Sequence, residues 1–358
     1  MTARWWIVLL TAVALVAVPV AVANRPAAAS DISAIDLATR VQASGGVAWS
    51  GLVQTSGALQ VPDSDSFATL AELLGEDNQL RVWWRSGSDW RVDRLRSTGE
   101  TDLFRQRGLS IRWVFESATA TVSPVSTVRL PDASDLLPPT LGRSLLQGAK
   151  PAELSRLPAR RVAGVDAPGL RLRPDTAATT VDHLDLWVEP GTGLPLRVEL
   201  YGAGDRRPVL TSALQQLELR TPAAATTDFT PSDGISVQYE ESVDVAAAAN
   251  AFAAYDLPAS LAGLETRNGR DPGAVGVYGR GPTTLLVLPL RGQVAGPLRS
   301  RLQTSAAARQ TAVGTVAPVG PVGLLVTPRQ QGRISFLLAG TVTPESLERA
   351  AAELLGTS

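Results

Sequence analysis

The sequence predicts an α+β protein in which a large antiparallel sheet packs on helices and a smaller α+β unit follows. Two observations predict this fold class. First, apolar and polar residues alternate through residues 80–125, with glycines between the segments, which is typical of an antiparallel meander, and again through a hairpin at 184–200. The alternation puts Trp83 opposite Trp84, puts Ile111 and Trp113 on one face, and puts Trp187 opposite the apolar row of its hairpin. Second, segments with helical spacing lie before and between these strands, at residues 31–44, 65–74 and 132–149.

The elements of the larger part follow from local signals taken in chain order. Asp31 or Ser33 can cap the first helix, and Gly45-Gly46 ends it. A strand is predicted over 47–55, and Gly75 ends the short second helix. Further strands are predicted after the meander, at residues 160–173, in a hairpin at 184–200 and at about 209–220.

The last hundred residues predict a smaller α+β unit. Its final helix runs from Pro344 to Leu355, with Thr343 as the N-cap and proline at the first helical position. A second helix begins near Pro297. The predicted strands lie at about 274–278, 283–290, 312–317, 321–327 and 333–340.

The predicted domain organisation has four parts. Residues 221–250 are polar and then alanine-rich, so we place the boundary between the domains there. The four predicted parts are a signal peptide or N-terminal membrane anchor (1–29), the large domain (30–230), a linker (231–254) and the small domain (255–358).

The N-terminus predicts export. Residues 5–23 form an uncharged apolar run after Arg4. Ala27-Ala28-Ala29 fits a signal-peptidase site, which favours cleavage, but 19 apolar residues also suffice for an uncleaved anchor. Under either interpretation the rest of the chain is expected to be extracytoplasmic, in the cell envelope or anchored to the membrane by residues 5–23.

Composition excludes several kinds of chemistry. The chain has no cysteine and one histidine, His183, so it can form no disulfide, no cysteine-ligated metal site and no histidine cluster. No nucleophile elbow, zinc-protease or phosphate-loop pattern is present. A net charge of −1 argues against nucleic-acid binding. We therefore predict no catalytic residues, no metal, no cofactor and no enzymatic activity.

Three short motifs occur in an order that resembles the LolA/RseB (MucB) superfamily. They are Trp49-Ser50-Gly51, the segment from Trp90 to Leu95 (WRVDRL), and the segment from Gly193 to Val198 (GLPLRV). The resemblance covers about residues 31–230, and the extra C-terminal domain makes the length similar to that of RseB-like members. It implies an open antiparallel half-barrel wrapped on helices, with an apolar cavity.

The resemblance implies two functions, both without catalysis. RseB-like members are two-domain periplasmic regulators that bind an anti-sigma factor and sense mislocalised lipoproteins, and this is the function we expect here. LolA-like members carry lipids or lipoproteins, which is the alternative. The expected partners are an acyl chain or lipoprotein and a membrane protein such as an anti-sigma factor.

Candidate binding residues come from the aromatic and basic residues of the meander. Outside the N-terminal apolar run, all six tryptophans lie between 49 and 187. They either fill a core or line a cavity. We expect the cavity wall to contain Phe67, Leu70, Trp84, Trp90, Trp113 and Phe115. Arginines also cluster here, either as a solvated sheet face or as a surface that docks an acidic segment or lipid headgroups; the predicted docking residues are Arg81, Arg94, Arg96, Arg105 and Arg107.

Overall fold

The computed structural model describes residues 26–58, 68–125, 129, 131–231, 234–240, 257–267, 274–329 and 334–356, and of residues 68–70 the backbone alone. The predicted α+β fold class is confirmed, with a twelve-stranded and a six-stranded sheet that each have a core of their own. Residues 1–25 of the predicted signal or anchor lie outside the described residues. None of the helices described is long and apolar enough to cross a membrane.

In the described residues, the large domain contains twelve strands and four short α-helices. The helices are α1 (Ala34–Ala43), α2 (Ala68–Gly75), α3 (Pro138–Leu146) and α4 (Ala224–Thr227). The strands are β1 (Trp49–Gly57), β2 (Asp77–Ser86), β3 (Asp89–Arg96), β4 (Gly99–Gln106), β5 (Leu109–Val114), β6 (Thr119–Pro124), β7 (Leu154–Val162), β8 (Val165–Leu172), β9 (Val181–Val188), β10 (Pro195–Gly202), β11 (Leu210–Glu218) and β12 (Ser236–Tyr239).

The large sheet is open and almost wholly antiparallel. Its strand order is β12-β6-β5-β4-β3-β2-β1-β11-β10-β9-β8-β7, and only β12 pairs in parallel, with β6. Strand β7 contacts β9 and β11 as well as β8, so the sheet curls at that end. Its two edges are therefore β12 and β7.

Helices cover one face of this sheet, which we call the inner face. It carries Trp49, Val82 and Trp84, and α1 and α3 pack on it over strands β7, β8, β10 and β11. The opposite, outer face carries Trp83 and Trp187, as the alternation predicted. Gly51 fits here because a Cβ at this position would clash with the carbonyl oxygen of Gln216 on β11.

Residues 220–231 and 234–239 lie on the outer face of the meander. Helix α4 contacts β2, β3 and β4, and the ring of Phe229 packs on Phe104 and Trp113 at centroid distances of 5.2 and 6.3 Å. Ser236–Tyr239, inside the predicted linker 231–254, pairs as β12 with β6. Residues 241–256 lie outside the described residues.

The described part of the small domain consists of a six-stranded sheet with two helices. Its sheet has the order β15-β16-β20-β19-β18-β17, and β13 (Ser260–Leu261) pairs with β14 (Leu264–Glu265) beside it. Thr343 caps the last helix through the backbone N–H of Ser346, as predicted. The remaining elements are β15 (Gly276–Arg280), β16 (Thr283–Arg291), α5 (Gly292–Gln303), β17 (Arg309–Thr311), β18 (Gly314–Val319), β19 (Val322–Val326), β20 (Ile334–Gly340) and α6 (Pro344–Leu355).

Candidate ligand-binding face

Trp84 and Trp90 form a stacked pair on the inner face. They lie opposite each other on β2 and β3, with ring centroids 5.6 Å apart and ring planes 3° from parallel. Trp84 is 7% exposed and Trp90 3% exposed, and both belong to the core of the large domain. The pair is the aromatic centre of the inner face.

Beyond this pair, the covered face of the sheet changes. On β5 and β6 the outer face is buried under Phe229, Ile235 and Val237. The inner-face side chains of the neighbouring strands are more open: Leu103, Ser110, Val114 and Thr121 are half-buried and Arg112 is exposed. Among the described residues, the inner face of β5 and β6 and the adjoining part of β4 is therefore partly accessible.

Arg105 lies where the aromatic core meets this accessible surface. It pairs with Trp90 across β3 and β4, and its guanidinium lies 5.5 Å from the centroid of the Trp90 ring. The residue is 8% exposed, and within the described residues its Nε has no hydrogen-bond partner and no carboxylate forms an ion pair with it. Burial lowers the pKa of Arg105, and the nearby positive charge of Arg129 lowers it further.

Arg129 binds two carboxylates whose charge acts on Arg105, those of Asp132 and Asp135. Its Nη1 lies 2.7 Å from Asp135 and 3.0 Å from Asp132, and its Nη2 donates to Asp135 at 2.9 Å. Burial and the neighbouring Asp135 raise the pKa of Asp132. These acids are thus engaged by Arg129, and Arg105 retains hydrogen-bonding capacity toward an anion.

The other predicted docking arginines do not form one surface with Arg105. Arg94 and Arg96 also lie on the inner face, but both donate to Glu72 at 3.0 Å. Arg81 lies on the outer face, opposite Asp93. Arg107 is in the turn after β4, where its side chain is 79% exposed and lies 4.0 Å from Asp228.

The predicted cavity residues are likewise divided. Trp84 and Trp90 lie together, whereas Trp113 is half-buried on the outer face beside Phe229. Phe115 is 67% exposed in the turn after β5. Phe67 lies outside the described residues, as does the side chain of Leu70.

Two surface clefts lie elsewhere in the described residues. One, of about 340 Å³, is formed by Ser50, Trp83 and the segment from Glu218 to Thr226. The other, of about 470 Å³, lies between β2 and the turn after β3 and includes Glu72 and Arg96. Neither includes Trp84, Trp90 or Arg105.

His183 shows no catalytic arrangement in the described residues. Its Nδ1 lies 2.5 Å from the carboxylate of Asp182, and its ring stacks on Tyr201 at 4.2 Å. No serine, threonine or cysteine hydrogen-bonds to the ring among the residues described. This environment orients the imidazole on the outer face but supplies no nucleophile for it to activate.

Three carboxylates meet on the outer face, under helix α4. Oxygen atoms of Asp93, Glu100 and Asp102 lie within 4.8 Å of one another, close enough to share a cation. Arg91 already donates to Asp93 at 2.6 Å and to Asp102 at 2.8 Å. One oxygen each of Asp93 and Asp102 remains without a partner in the described residues. Sequence reasoning did not single out this cluster.

Replacing Asp102 with asparagine is expected to remove a pH dependence of stability. Burial and the neighbouring Asp93 carboxylate raise the pKa of Asp102 from 3.8 to about 7. The folded state therefore holds this proton more tightly than the unfolded state, and the resulting stabilisation is lost as the pH rises from 3.8 to about 7. The free energy of unfolding should fall by up to about 1.4 kcal/mol per pH unit across that window.

Urea denaturation at a series of pH values measures this effect. Asp102→Asn should flatten the pH profile and should exceed the wild type in stability above pH 7, since asparagine mimics the protonated acid. Asp205→Asn, at an exposed position, is the matched control and should leave the profile unchanged. A wild-type stability that does not fall between pH 4 and 7, or an Asp102→Asn profile with the same slope as the wild type, would contradict the assignment.

Comparison with known proteins finds solved structures that are similar to this chain. No protein-family model matches the chain, and no curated protein matches it. The chain is similar to MucB in the MucA/MucB complex of Pseudomonas aeruginosa, with 16% identity and a TM-score of 0.49 over 89% of this chain and 96% of that chain. A separate crystal structure of MucB gives the same values.

A LolA superfamily protein from Nitrosomonas europaea is more distant. It has 12% identity and a TM-score of 0.24, over 55% of this chain and 98% of that chain. The likeness of this chain to these structures is one of fold alone.

Proposed function

We propose that this protein is an exported, non-enzymatic binding protein that holds an acylated, anionic ligand, either a lipid or a lipoprotein, on the inner face of its large domain. The small domain would engage a membrane protein such as an anti-sigma factor, which makes the protein a regulator. The observation that supports this most is Arg105, a nearly buried arginine beside an aromatic pair, whose Nε has no hydrogen-bond partner in the described residues.

The case for an anionic ligand rests on the free energy of a buried charge. Burying a cation is unfavourable unless an opposite charge or hydrogen bonds compensate for its lost hydration. Arg105 has a ring contact with Trp90 but no such partner in the described residues. A phosphate or carboxylate of a ligand would supply one, since both groups match the donor geometry of a guanidinium.

A second arginine and an apolar wall extend the site. Arg105 lies directly across from Ser110, and Arg112 is two residues further along the same strand and face. Diagonal neighbours of this kind are about 7–8 Å apart, within reach of one headgroup. Leu103, Val114 and the edge of the Trp84–Trp90 pair give the apolar surface on which an acyl chain would lie. A mostly apolar site with few polar anchors is typical of such ligands.

The alternative is a carrier of lipids or lipoproteins without a regulatory role. It uses the same site, so the two functions differ in what the small domain does. Direct contacts between the two domains favour the regulator. The backbone N–H of Thr180 donates to Thr341 at 3.1 Å, and that of Thr343 donates to Ala178 at 2.9 Å. Such contacts give a route by which ligand on one domain changes the other.

Replacing Arg105 and Arg112 with glutamine should remove the ligand. The full-length protein, purified from its own host, is extracted with organic solvent, and the extract is analysed by mass spectrometry. We expect an anionic acylated molecule with the wild type and at least about a tenfold loss in the double variant, the effect of losing charge-assisted hydrogen bonds. Arg206→Gln with Arg207→Gln, at exposed positions in a loop, is the matched control.

The outcomes separate the proposals. A free lipid in the extract favours a lipid ligand, and an acylated acidic peptide favours a lipoprotein. Binding to an envelope membrane protein that changes when the ligand is removed supports the regulator, and its absence supports the carrier. A wild-type protein that yields no acylated molecule, or a folded double variant that retains as much ligand as the control, would overturn the site.

A further inference from the structure

We propose that edge strand β7, together with the segment 28–35 that lies against it, docks on the surface of an anionic lipid bilayer. The apolar run 5–23 would remain as an anchor that places this edge at the membrane. This inference rests on the export proposed above, but it does not depend on the ligand of the inner face.

The first argument is where the chain enters the large domain. Residue 28 is already bound to the sheet, because the Ala28 N–H donates to the carboxylate of Asp166 on β8. Two residues later, Arg156 of β7 donates to the carbonyl oxygen of Ser30 at 2.5 Å, and it also binds that of Ile32. The N-terminal segment is therefore fixed along the β7 end of the sheet.

The second argument is the short distance from this contact to the apolar run. Only residues 24–27 separate the run from Ala28. An extended chain spans at most about 3.5 Å per residue, so the run ends within about 20 Å of β7. A bilayer that holds residues 5–23 thus brings its headgroups close to this edge of the sheet.

The third argument is charge. Strand β7 has three exposed arginines and no acidic residue: Arg156, Arg160 and Arg161. Arg160 lies 3.2 Å from Glu199 and Arg161 lies 2.8 Å from Asp166, whereas Arg156 binds main-chain carbonyl oxygens, so the edge keeps a positive charge. Ile35 in the first turn of α1, a helix that contacts β7, is also exposed. A basic edge with a nearby exposed apolar side chain fits the interface of a membrane that contains anionic lipids.

The simpler interpretation is that these arginines only protect an edge strand from pairing with another chain. Pro158 and the register shift between Leu157 and Arg160 already interrupt the ladder of β7. They make addition of a further protein strand unfavourable there without any charge. Protection of the edge therefore does not depend on the charge of the arginines, which stays exposed on the edge that lies near the anchor.

The absence of cysteine makes a direct test possible. Ser155→Cys on β7 and Ser236→Cys on β12, the two edges of one sheet, each give a single site for a fluorophore, and both serines are exposed. The full-length protein is reconstituted into vesicles of phosphatidylcholine with phosphatidylglycerol, with nitroxide headgroups as quenchers. We expect the label at residue 155 to be quenched and the label at residue 236 not to be.

Matched variants show whether charge is responsible. Arg156→Gln, Arg160→Gln and Arg161→Gln together should abolish the quenching at residue 155, as should vesicles of phosphatidylcholine alone. Arg206, Arg207 and Arg220 changed to glutamine form the control set and should have no effect. Equal quenching at both edges, quenching that survives the β7 substitutions, or a native protein that begins at Ser30 and is not membrane-associated would overturn the proposal.

The ligand extraction described above keeps the two proposals separate. The β7 variant should retain its acylated ligand, because its substitutions lie away from Arg105. Loss of quenching with ligand retained supports membrane docking alone, and loss of ligand in the Arg105 variant with quenching retained supports the inner-face site alone.

Discussion

Replacing Trp90 with alanine should lower the free energy of unfolding of the large domain by about 3–5 kcal/mol, the range observed for large aromatic side chains in cores. Trp90 is among the most buried tryptophans of the chain, and its ring stacks on Trp84. Its loss would leave a cavity on the inner face and would also remove the ring on which Arg105 lies. Urea denaturation followed by tryptophan fluorescence measures the change.

Trp83→Ala provides a control on the neighbouring position. Trp83 lies on the outer face of β2, where it is half-buried and has the guanidinium of Arg91 at 5.2 Å from its ring. The expected loss there is smaller. If Trp90→Ala costs less than about 1 kcal/mol but abolishes ligand binding, Trp90 lines a ligand site rather than filling the core. Equal losses for both variants would contradict the difference in burial on which this prediction rests.

Local patterns predicted much of the fold because the relevant interactions are local. The Ser33 and Thr343 caps depend on residues three positions away, and both are present. The hairpin at 184–200 forms as predicted, with Leu186 opposite Val198. Period-two alternation correctly put Trp83 and Trp84 on opposite faces. None of these interactions needs knowledge of the rest of the chain.

What could not be predicted depends on contacts between distant segments. Residues 220–239 have few apolar residues, and nothing local indicates that Phe229 packs on Trp113 or that β12 pairs with β6. Alternation placed Ile111 and Trp113 on one face, and they do share a face. It could not tell which face the crossing segment covers, and therefore could not assign Trp113 to the outer side.

The paired carboxylates are a different case, because a signal was present. Asp93 and Asp102 are equidistant from the turn at Ser97-Thr98, so a two-residue hairpin turn pairs them directly. Like charges in that position repel each other. Counting outward from each predicted turn would have found this pair, and the same procedure places Arg105 opposite Trp90.

Replacing Arg280 with alanine is expected to weaken the contact between the two domains by about 3 kcal/mol, since it leaves a buried carboxylate without its counter-charge. Arg280 ends β15 of the small domain and donates to Glu153 of the large domain at 2.7 and 2.5 Å. The Glu153 side chain is fully buried. It also accepts the backbone N–H groups of Lys150 and Asp175, at 2.8 and 2.9 Å.

The pH dependence of this contact has the opposite sign to that of Asp102. Burial alone would raise the pKa of Glu153, but the hydrogen bonds from Arg280 and from the two backbone N–H groups outweigh it and lower the pKa from 4.5 to about 2. The stabilisation is therefore present above pH 4.5 and is lost as the pH falls toward 2. In Arg280→Ala the pKa of Glu153 rises, so acid should disrupt the variant at a higher pH than the wild type.

Two optical probes can follow the domains separately, because all tryptophans after residue 6 lie between 49 and 187. Tryptophan fluorescence reports the large domain, and circular dichroism reports both. In the wild type the two transitions should coincide, and in Arg280→Ala they should separate. Arg309→Ala, which removes an exposed pair with Glu348 within the small domain, is the control and should keep them together.

A second substitution decides whether the charge or the contact matters. If the unpaired carboxylate causes the loss, adding Glu153→Gln to Arg280→Ala should recover part of the stability, because the neutral amide needs no counter-charge. If the double variant is as unstable as the sum of both single variants, the two side chains are not coupled across the interface. Coincident transitions and an unchanged acid midpoint in Arg280→Ala would show that the domains are held by the backbone contacts at Thr180 and Thr343 instead.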